Sequence, residues 1–222
     1  MAAKQTKTRP PRTASRPPRR SQEERRETTR RQLLDAAILR ISRRGLTEAS
    51  LDAIADAARV TRGAVQHHFG TRNDLLLAVV DEFGRELFAL VSDPAMASRT
   101  LAERIEYVCG RYWATFSGDH FRAVIQIWLG TQAQPRAYRK ILDRIRWFER
   151  ELDRHWLTLF GESGLDAPQL AAVRHVALAT MRGLALRAIY SNGKEDARNE
   201  IAVLKAMLSG FLATERGAAA RR

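Results

Sequence analysis

Two adjacent histidines, His67 and His68, lie near the end of residues 59–69, which read RVTRGAVQHHF. On a helix, neighbouring side chains point about 100° apart, so the two imidazoles cannot bind the same metal ion. The segment also contains no cysteine or carboxylate at ligand spacing. These features favour a surface that contacts another molecule over a metal or catalytic site.

A second arrangement with possible chemistry is the pair Glu151 and His155, spaced i, i+4, with His175 as a conceivable third metal ligand. Exposed Glu–His pairs are common on amphipathic helices, so this pattern is only a weak indication of metal. The chain shows no glycine-rich phosphate loop, Ser–His–Asp spacing or nucleophile elbow. We therefore predict no catalytic residues, no metal and no cofactor. The single cysteine, Cys109, lies in an apolar helical pattern and is predicted to be a buried small apolar residue.

The elements around the histidines are predicted to be two short helices joined by a tight turn. Ser50 and Thr61 are typical N-caps, and the apolar positions between and after them fall on one side of each helix. Twenty residues, 50–69, match the length of a helix-turn-helix, whose second helix enters the major groove of DNA. The exposed start of that helix offers side chains or backbone to phosphates and base edges at Thr61, Arg62, Gly63, Gln66 and His67.

The rest of the chain also has helical periodicity. A first helix from Glu23 ends at Gly45, and a fourth begins after Thr71, with Asp74 at the capping-box position. Five further helices are predicted at about 97–117, 119–132, 136–160, 168–190 and 195–213. The predicted fold is all-α with about nine helices, no strand and no internal repeat. It comprises a three-helix helix-turn-helix unit within residues 23–91 and a larger helical domain at 95–216.

The N-terminal residues 1–22 differ from the rest, with seven basic residues, no acidic residue and four of the seven prolines. Such a composition predicts a disordered tail, which is either simply solvated or an arm that contacts DNA.

The formal net charge of +13 favours a polyanionic partner, either nucleic acid or an acidic membrane surface. Arginines outnumber lysines by 33 to 5, which reflects either phosphate recognition or genomic base composition. No apolar run approaches the roughly 20 residues of a membrane helix, and one cysteine supports no disulfide framework. We expect a cytoplasmic protein that does not span the membrane.

Residues 50–79, SLDAIADAARVTRGAVQHHFGTRNDLLLAV, resemble the DNA-binding domain of the tetracycline-repressor (TetR) family. The matching positions are Ile54, Ala55, Ala58, Val60, Gly63, Val65, His68, Phe69 and Leu75. Three positions depart from the family pattern: Arg59 replaces the turn glycine, Gln66 a tyrosine and Arg72 a lysine. Arg59 is therefore expected in a left-handed conformation, at a cost of roughly 1 kcal/mol.

The resemblance implies roles for individual residues. Thr47, Ser50, Thr61 and Arg72 would hold phosphates, and Arg62, Gly63, Gln66 and His67 would face the bases. The C-terminal helices would enclose a pocket for an unknown small-molecule effector, with Trp113, Phe116, Trp128 and His175 as candidate wall residues. The last two helices would form a homodimer interface through Val173, Ala177, Met181, Leu184, Leu204, Leu208 and Phe211, unless these apolar stripes face the core of their own subunit.

The sequence thus predicts a regulator of transcription that binds double-stranded DNA sequence-specifically. It would act as a ligand-responsive repressor, as a homodimer on a palindromic operator. Two other classes stay open: a basic nucleic-acid-binding (architectural) protein without sequence preference, and an enzyme whose C-terminal cavity performs chemistry.

Overall fold

The computed structural model describes residues 21–190 and 197–219, with side chains for 21–189 and 197–213. Within these residues the chain forms nine α-helices and two 3₁₀ turns, Pro94–Met96 and Gly161–Ser163, and no strand. The helices are α1 (Gln22–Arg44), α2 (Leu51–Ala58), α3 (Arg62–Phe69), α4 (Arg72–Val91), α5 (Leu101–Phe116), α6 (Asp119–Gly130), α7 (Pro135–Phe160), α8 (Ala167–Tyr190) and α9 (Arg198–Ala219). The predicted all-α fold is confirmed. The tail predicted at 1–22 lies outside the described residues except for Ser21 and Gln22.

Local capping signals explain where the N-terminal helices begin and end. The Ser21 hydroxyl accepts from the Glu24 amide, and the Glu24 carboxylate accepts from the Ser21 amide, which forms a capping box before α1. Gly45 ends α1 with a φ of 91°, a backbone conformation that favours glycine. Arg59, after α2, has φ 56° and ψ 42°, so the predicted left-handed arginine is confirmed.

Helix α4 joins the N-terminal unit to the C-terminal helices. It begins at the predicted capping box of Thr71 and Asp74 and packs extensively against α7. At Gly84 the two helices come unusually close, since a Cβ there would lie 2.2 Å from the Phe148 ring. The apolar side chains of α4 therefore pack against both halves of the molecule. The position of α4 depends on the helices of both halves.

The C-terminal helices form the larger part of the core, with Tyr112, Phe116 and Phe160 among the most deeply buried side chains. An ion-pair cluster around the buried Arg174 holds α7 to α8. Arg174 of α8 is fully buried and donates to Glu149 and Asp153, one helical turn apart on α7. In the described part of the chain, no helix has the length and apolarity needed to cross a bilayer.

Candidate functional site

Helices α2 and α3 form a compact pair whose inner side is apolar. Ile54 of α2 and Val65 of α3 are fully buried, and they fix the orientation of the two helices on α1 and α4. With Val65 turned inward, the opposite side of α3 leaves Arg62, Gln66 and His67 exposed. The arrangement presents the first two turns of α3 as a continuous polar surface.

Both helices of the pair begin at a hydroxyl cap, as predicted. The Ser50 Oγ accepts from the Ala53 amide at 3.1 Å, and the Thr61 Oγ1 accepts from the Ala64 amide at 3.2 Å. A hydroxyl that accepts such a bond can still donate its own hydrogen, and the helix N-terminus carries a partial positive charge. Ser50, Thr61 and the nearby Thr47 are all exposed. These positions suit contacts with phosphate oxygens.

The α3 residue Arg62 forms an ion pair with Asp52 of α2. Its Nη1 lies 3.0 Å from Oδ2 and 3.3 Å from Oδ1, and both side chains are more than half exposed. An exposed pair of this kind contributes at most about 1 kcal/mol, so the guanidinium can exchange its carboxylate partner for a base edge. Asp52 was not among the residues predicted from the sequence. An acidic residue in the first turn of α2 was the available signal.

The position of Arg72 adds a structural role to the one predicted. Its Nη2 donates to the Leu46 carbonyl at 2.6 Å and its Nε to the Ala49 carbonyl at 3.1 Å, so the guanidinium ties the loop between α1 and α2 to α4. Burial lowers the pKa of this half-buried side chain below its usual value. These bonds use Nε and Nη2 of the five-donor guanidinium, so they give Arg72 a structural role, and the predicted phosphate contact stays a prediction.

The two histidines differ in environment. His67 is exposed, whereas His68 is half-buried, with its ring near that of Phe69. Burial lowers the pKa of His68, and the nearby His67, Arg26 and Arg30 act in the same direction.

The predicted alternative of a metal at Glu151, His155 and His175 finds no support among the described residues, which contain no metal-binding cluster. The His155 ring packs against Phe88 and its Nδ1 lies 3.0 Å from the Glu151 carbonyl, while His175 lies 3.4 Å from Asp153.

A cavity of about 210 Å³ lies between α4, α6, α7 and α8. Its walls are mainly apolar, and they include Phe83, Gly84, Trp128, Phe148 and Leu152. The charged lining residues are Glu149 and Arg182, whose Oε1 and Nη2 are 2.6 Å apart. A mostly apolar cavity with a few polar groups at one place is the usual form of a small-molecule site.

Of the four predicted wall residues, Trp128 lines this cavity and the other three do not. Phe116 is buried in the core beside Phe83 and Phe121, and Trp113 packs against the same core. His175 is mostly exposed beside Asp153. These three assignments are wrong for this cavity, because helical spacing identifies a buried face without indicating which part of the interior it reaches.

The predicted dimer residues also need correction. Ala177, Met181, Leu204 and Leu208 are at most 7% exposed within their own subunit, and Val173 and Leu184 pack against its core. Phe211 is half exposed, and it is joined on the outer faces of α8 and α9 by Val176, Val203 and Met207. Helix α8 is apolar on both sides, so its periodicity could not show which side faces outward. The stripe chosen from the sequence is the one that faces inward.

Comparison with known proteins finds similarity first in the N-terminal helices. The sequence profile of "Bacterial regulatory proteins, tetR family" matches residues 33–79, which span α2 and α3 with parts of α1 and α4. Residues 33–79 therefore match the TetR family. The HTH-type transcriptional regulator BetI of Paraburkholderia phymatum is 35% identical over 33% of this chain and 38% of that protein. The matched part therefore spans about two-fifths of that relative.

Two longer likenesses extend into the C-terminal helices. The nicotine-responsive transcriptional repressor HdnoR of Paenarthrobacter nicotinovorans is 28% identical over 68% of this chain and 76% of that protein. A transcriptional regulator from Rhodococcus sp. Rha1 shares the fold, with a TM-score of 0.68, 20% identity and coverage of 83% of this chain and 96% of that one. The matched family and HdnoR are regulators rather than enzymes, in agreement with the predicted lack of catalysis.

The charged residues at the cavity were missed by the sequence analysis. Glu149 and Arg182 interrupt the apolar faces of α7 and α8, and Arg174 does the same one helical turn after Leu170. A charged residue inside an apolar stripe was a usable signal, since full burial of a charge requires a partner.

Proposed function

We propose that this chain is a sequence-specific DNA-binding transcriptional regulator that acts as a homodimer and releases its operator when a small molecule occupies the C-terminal cavity. The observation that carries the proposal is the exposed start of α3. Arg62, Gln66 and His67 project from a helix whose opposite side is anchored by the buried Val65. Arginine and glutamine form paired hydrogen bonds with guanine and adenine, each worth about 1–3 kcal/mol of discrimination.

Phosphate contacts would orient α3 in the groove. The exposed hydroxyl caps Ser50 and Thr61 and the neighbouring Thr47 border its start, and the backbone of Gly63 allows close approach. Exposed Arg43 and Arg44 in the last turn of α1 add positive charge to this half of the molecule. Arg72 contributes indirectly, because it holds the loop that carries Thr47.

Homodimerisation is supported by the outer faces of α8 and α9. Val176, Val203 and Met207 are each at least 59% exposed, and Phe211 is 50% exposed. On α9 the positions 203, 207 and 211 follow one another at i, i+4 spacing and so form one stripe. Large apolar side chains concentrated on adjacent helices are typical of a protein interface. A second copy would bury this stripe and place two α3 helices at successive major grooves.

Ligand control is supported by the contacts of α6. Trp128 lines the cavity, and two residues later Gly130 approaches Leu46 so closely that a Cβ would lie 2.5 Å from the Leu46 Cδ2. Gln126 also donates to the Ser42 carbonyl of α1 at 3.2 Å. A ligand that moves α6 would thus shift α1 and the loop beside α2. The ligand can weaken DNA binding only by as much as it prefers the shifted arrangement of these helices over the arrangement that binds DNA.

Selection of bound fragments from genomic DNA, followed by footprinting, tests this function. The proposal expects a protected site with two inverted half-sites about one helical turn, or a multiple of it, apart. A basic protein without sequence preference would select no common sequence, because counterion release acts equally on all DNA. That outcome would favour the alternative, an architectural nucleic-acid-binding protein.

A further inference from the structure

The charged end of the cavity forms part of a network with balanced charge. Glu149 accepts from Arg182 through Oε1 at 2.6 Å and from Arg174 through Oε2 at 2.7 Å. Arg174 also donates from Nε to the Asp153 Oδ1 at 2.7 Å. Two guanidinium groups therefore face two carboxylates, and their formal charges sum to zero.

The ionisation of Glu149 follows from these contacts. Burial alone would raise the pKa of its carboxyl, but Arg182 and Arg174 outweigh burial and hold the pKa below its ordinary value. Glu149 is thus charged at neutral pH, and each of its oxygens already has a cationic partner. Hydrogen-bonding capacity remains, because a guanidinium has five N–H donors and a carboxylate oxygen more than one lone pair.

We infer, building on the proposed ligand response, that this cavity selects compact, uncharged ring molecules with a hydrogen-bonding end, and that Arg182 and Glu149 set this preference. A ligand carboxylate would compete with Glu149 for Arg182 and leave an excess negative charge in a low-dielectric site. A ligand cation would meet Arg182 and a carboxylate that is already paired. A neutral amide or carbonyl disturbs neither bond.

The cavity size supports a small ring compound. An apolar cavity of about 150 Å³ accommodates benzene, and this one measures about 210 Å³. A benzene ring with one planar polar substituent therefore fits between the apolar walls. Its substituent would lie beside Arg182 and Glu149.

Three isosteric probes test the inference: benzamide, benzoate and benzamidinium, which are neutral, anionic and cationic. Isothermal titration calorimetry on the full-length protein without DNA measures each Kd. Benzamide is expected to bind at least about tenfold more tightly than either charged probe, a difference of about 1.4 kcal/mol. Equal affinity for all three, tighter binding of a charged probe, or no benzamide binding at millimolar concentration would overturn the inference.

The variant Arg182→Met tests whether the network sets the preference. It retains the Arg174–Glu149 pair but leaves one carboxylate in excess, so the ratio of benzamidinium to benzoate affinity should rise by at least about tenfold. Glu149→Gln should lower the ratio of benzamidinium to benzoate affinity, provided that circular dichroism shows that the variant is folded. Arg154→Met is the matched control, because Arg154 is an exposed α7 residue paired with Glu151, and it should leave the ratio unchanged. An unchanged ratio in Arg182→Met would contradict the assignment.

A separate DNA-release assay distinguishes the inference from the function on which it rests. Benzamide that binds with the expected charge preference but leaves DNA affinity unchanged supports the inference and counts against ligand control through this cavity.

Discussion

Arg62 on α3 and Asp52 on α2 form an ion pair across the helix-turn-helix, with Nη1 3.0 Å from Oδ2. The pair places the side chain that we propose to read a base next to a carboxylate that phosphates would repel. If Arg62 contacts a base as proposed, its partner differs between the free and the DNA-bound protein.

Arg62→Ala should reduce the preference for operator over scrambled DNA by about tenfold or more, since a paired arginine–guanine contact is worth about 1–3 kcal/mol. Binding to scrambled DNA should change little. Asp52→Asn should strengthen binding to both DNAs by a few-fold, because it removes a negative charge near the backbone. Fluorescence anisotropy with both DNAs measures these ratios. If Arg62→Ala lost the same affinity for the operator and for the scrambled DNA, Arg62 would contact only the DNA backbone.

Arg72→Ala should destabilise the fold rather than weaken phosphate binding alone. It removes the bonds to the Leu46 and Ala49 carbonyls, and charge-assisted bonds contribute about 1.5–3 kcal/mol each. We expect the free energy of unfolding in urea to fall by roughly 2 kcal/mol. Arg72→Lys keeps the charge but cannot reach both carbonyls, so it should restore little of this stability. A wild-type urea midpoint for Arg72→Ala would contradict the structural role.

Neighbouring residues of α9 distinguish the proposed dimer face from the core. Met207 is 66% exposed and Leu208 is 7% exposed. Met207→Asp should yield a folded monomer with much weaker operator binding, whereas Leu208→Asp should unfold the domain because it buries an unpaired charge. Sedimentation velocity and circular dichroism separate the two effects. A dimer that persists in Met207→Asp would place the interface elsewhere.

Arg59→Gly should raise stability by about 0.5–1 kcal/mol. The φ of 56° at this position is costly for any residue with a Cβ, although glycine also loses more entropy on folding. As a control, Arg139→Gly on the exposed side of α7 should lower stability by about 1 kcal/mol, since that position is helical. Thermal unfolding of both variants and the wild type measures these changes. A midpoint for Arg59→Gly below that of the wild type would show that the left-handed arginine is not strained.

The stability that Glu149 provides should depend on pH. Because the folded-state pKa of Glu149 is lowered, its contribution is fully present above the unfolded value of about 4.3 and is lost as pH falls through the folded value. Glu149→Gln should therefore cost roughly 3 kcal/mol at pH 7, and less at pH 3, which lies below the unfolded value. Urea unfolding at the two pH values measures the difference, and an equal cost at both would contradict the lowered pKa.

Local signals made the helices predictable from sequence, and long-range packing limited the rest. Ser50 and Thr61 cap their helices through bonds to residues three positions away, so the chain segment itself contains the information. Arg72 binds carbonyls more than 20 residues earlier, which no local pattern reveals. The cavity combines side chains from four helices, and α8 is apolar on both sides. Periodicity therefore identified Met181 as buried without showing that its own subunit buries it.

The most direct test of sequence-specific recognition is the ratio of two affinities, measured by fluorescence anisotropy at about 150 mM salt. One DNA is the fragment selected from the genome, and the other has the same composition in scrambled order. We predict that the selected DNA binds at least about 10³-fold more tightly. Equal affinity for both would contradict the proposed function and leave the net charge of +13 as the source of binding.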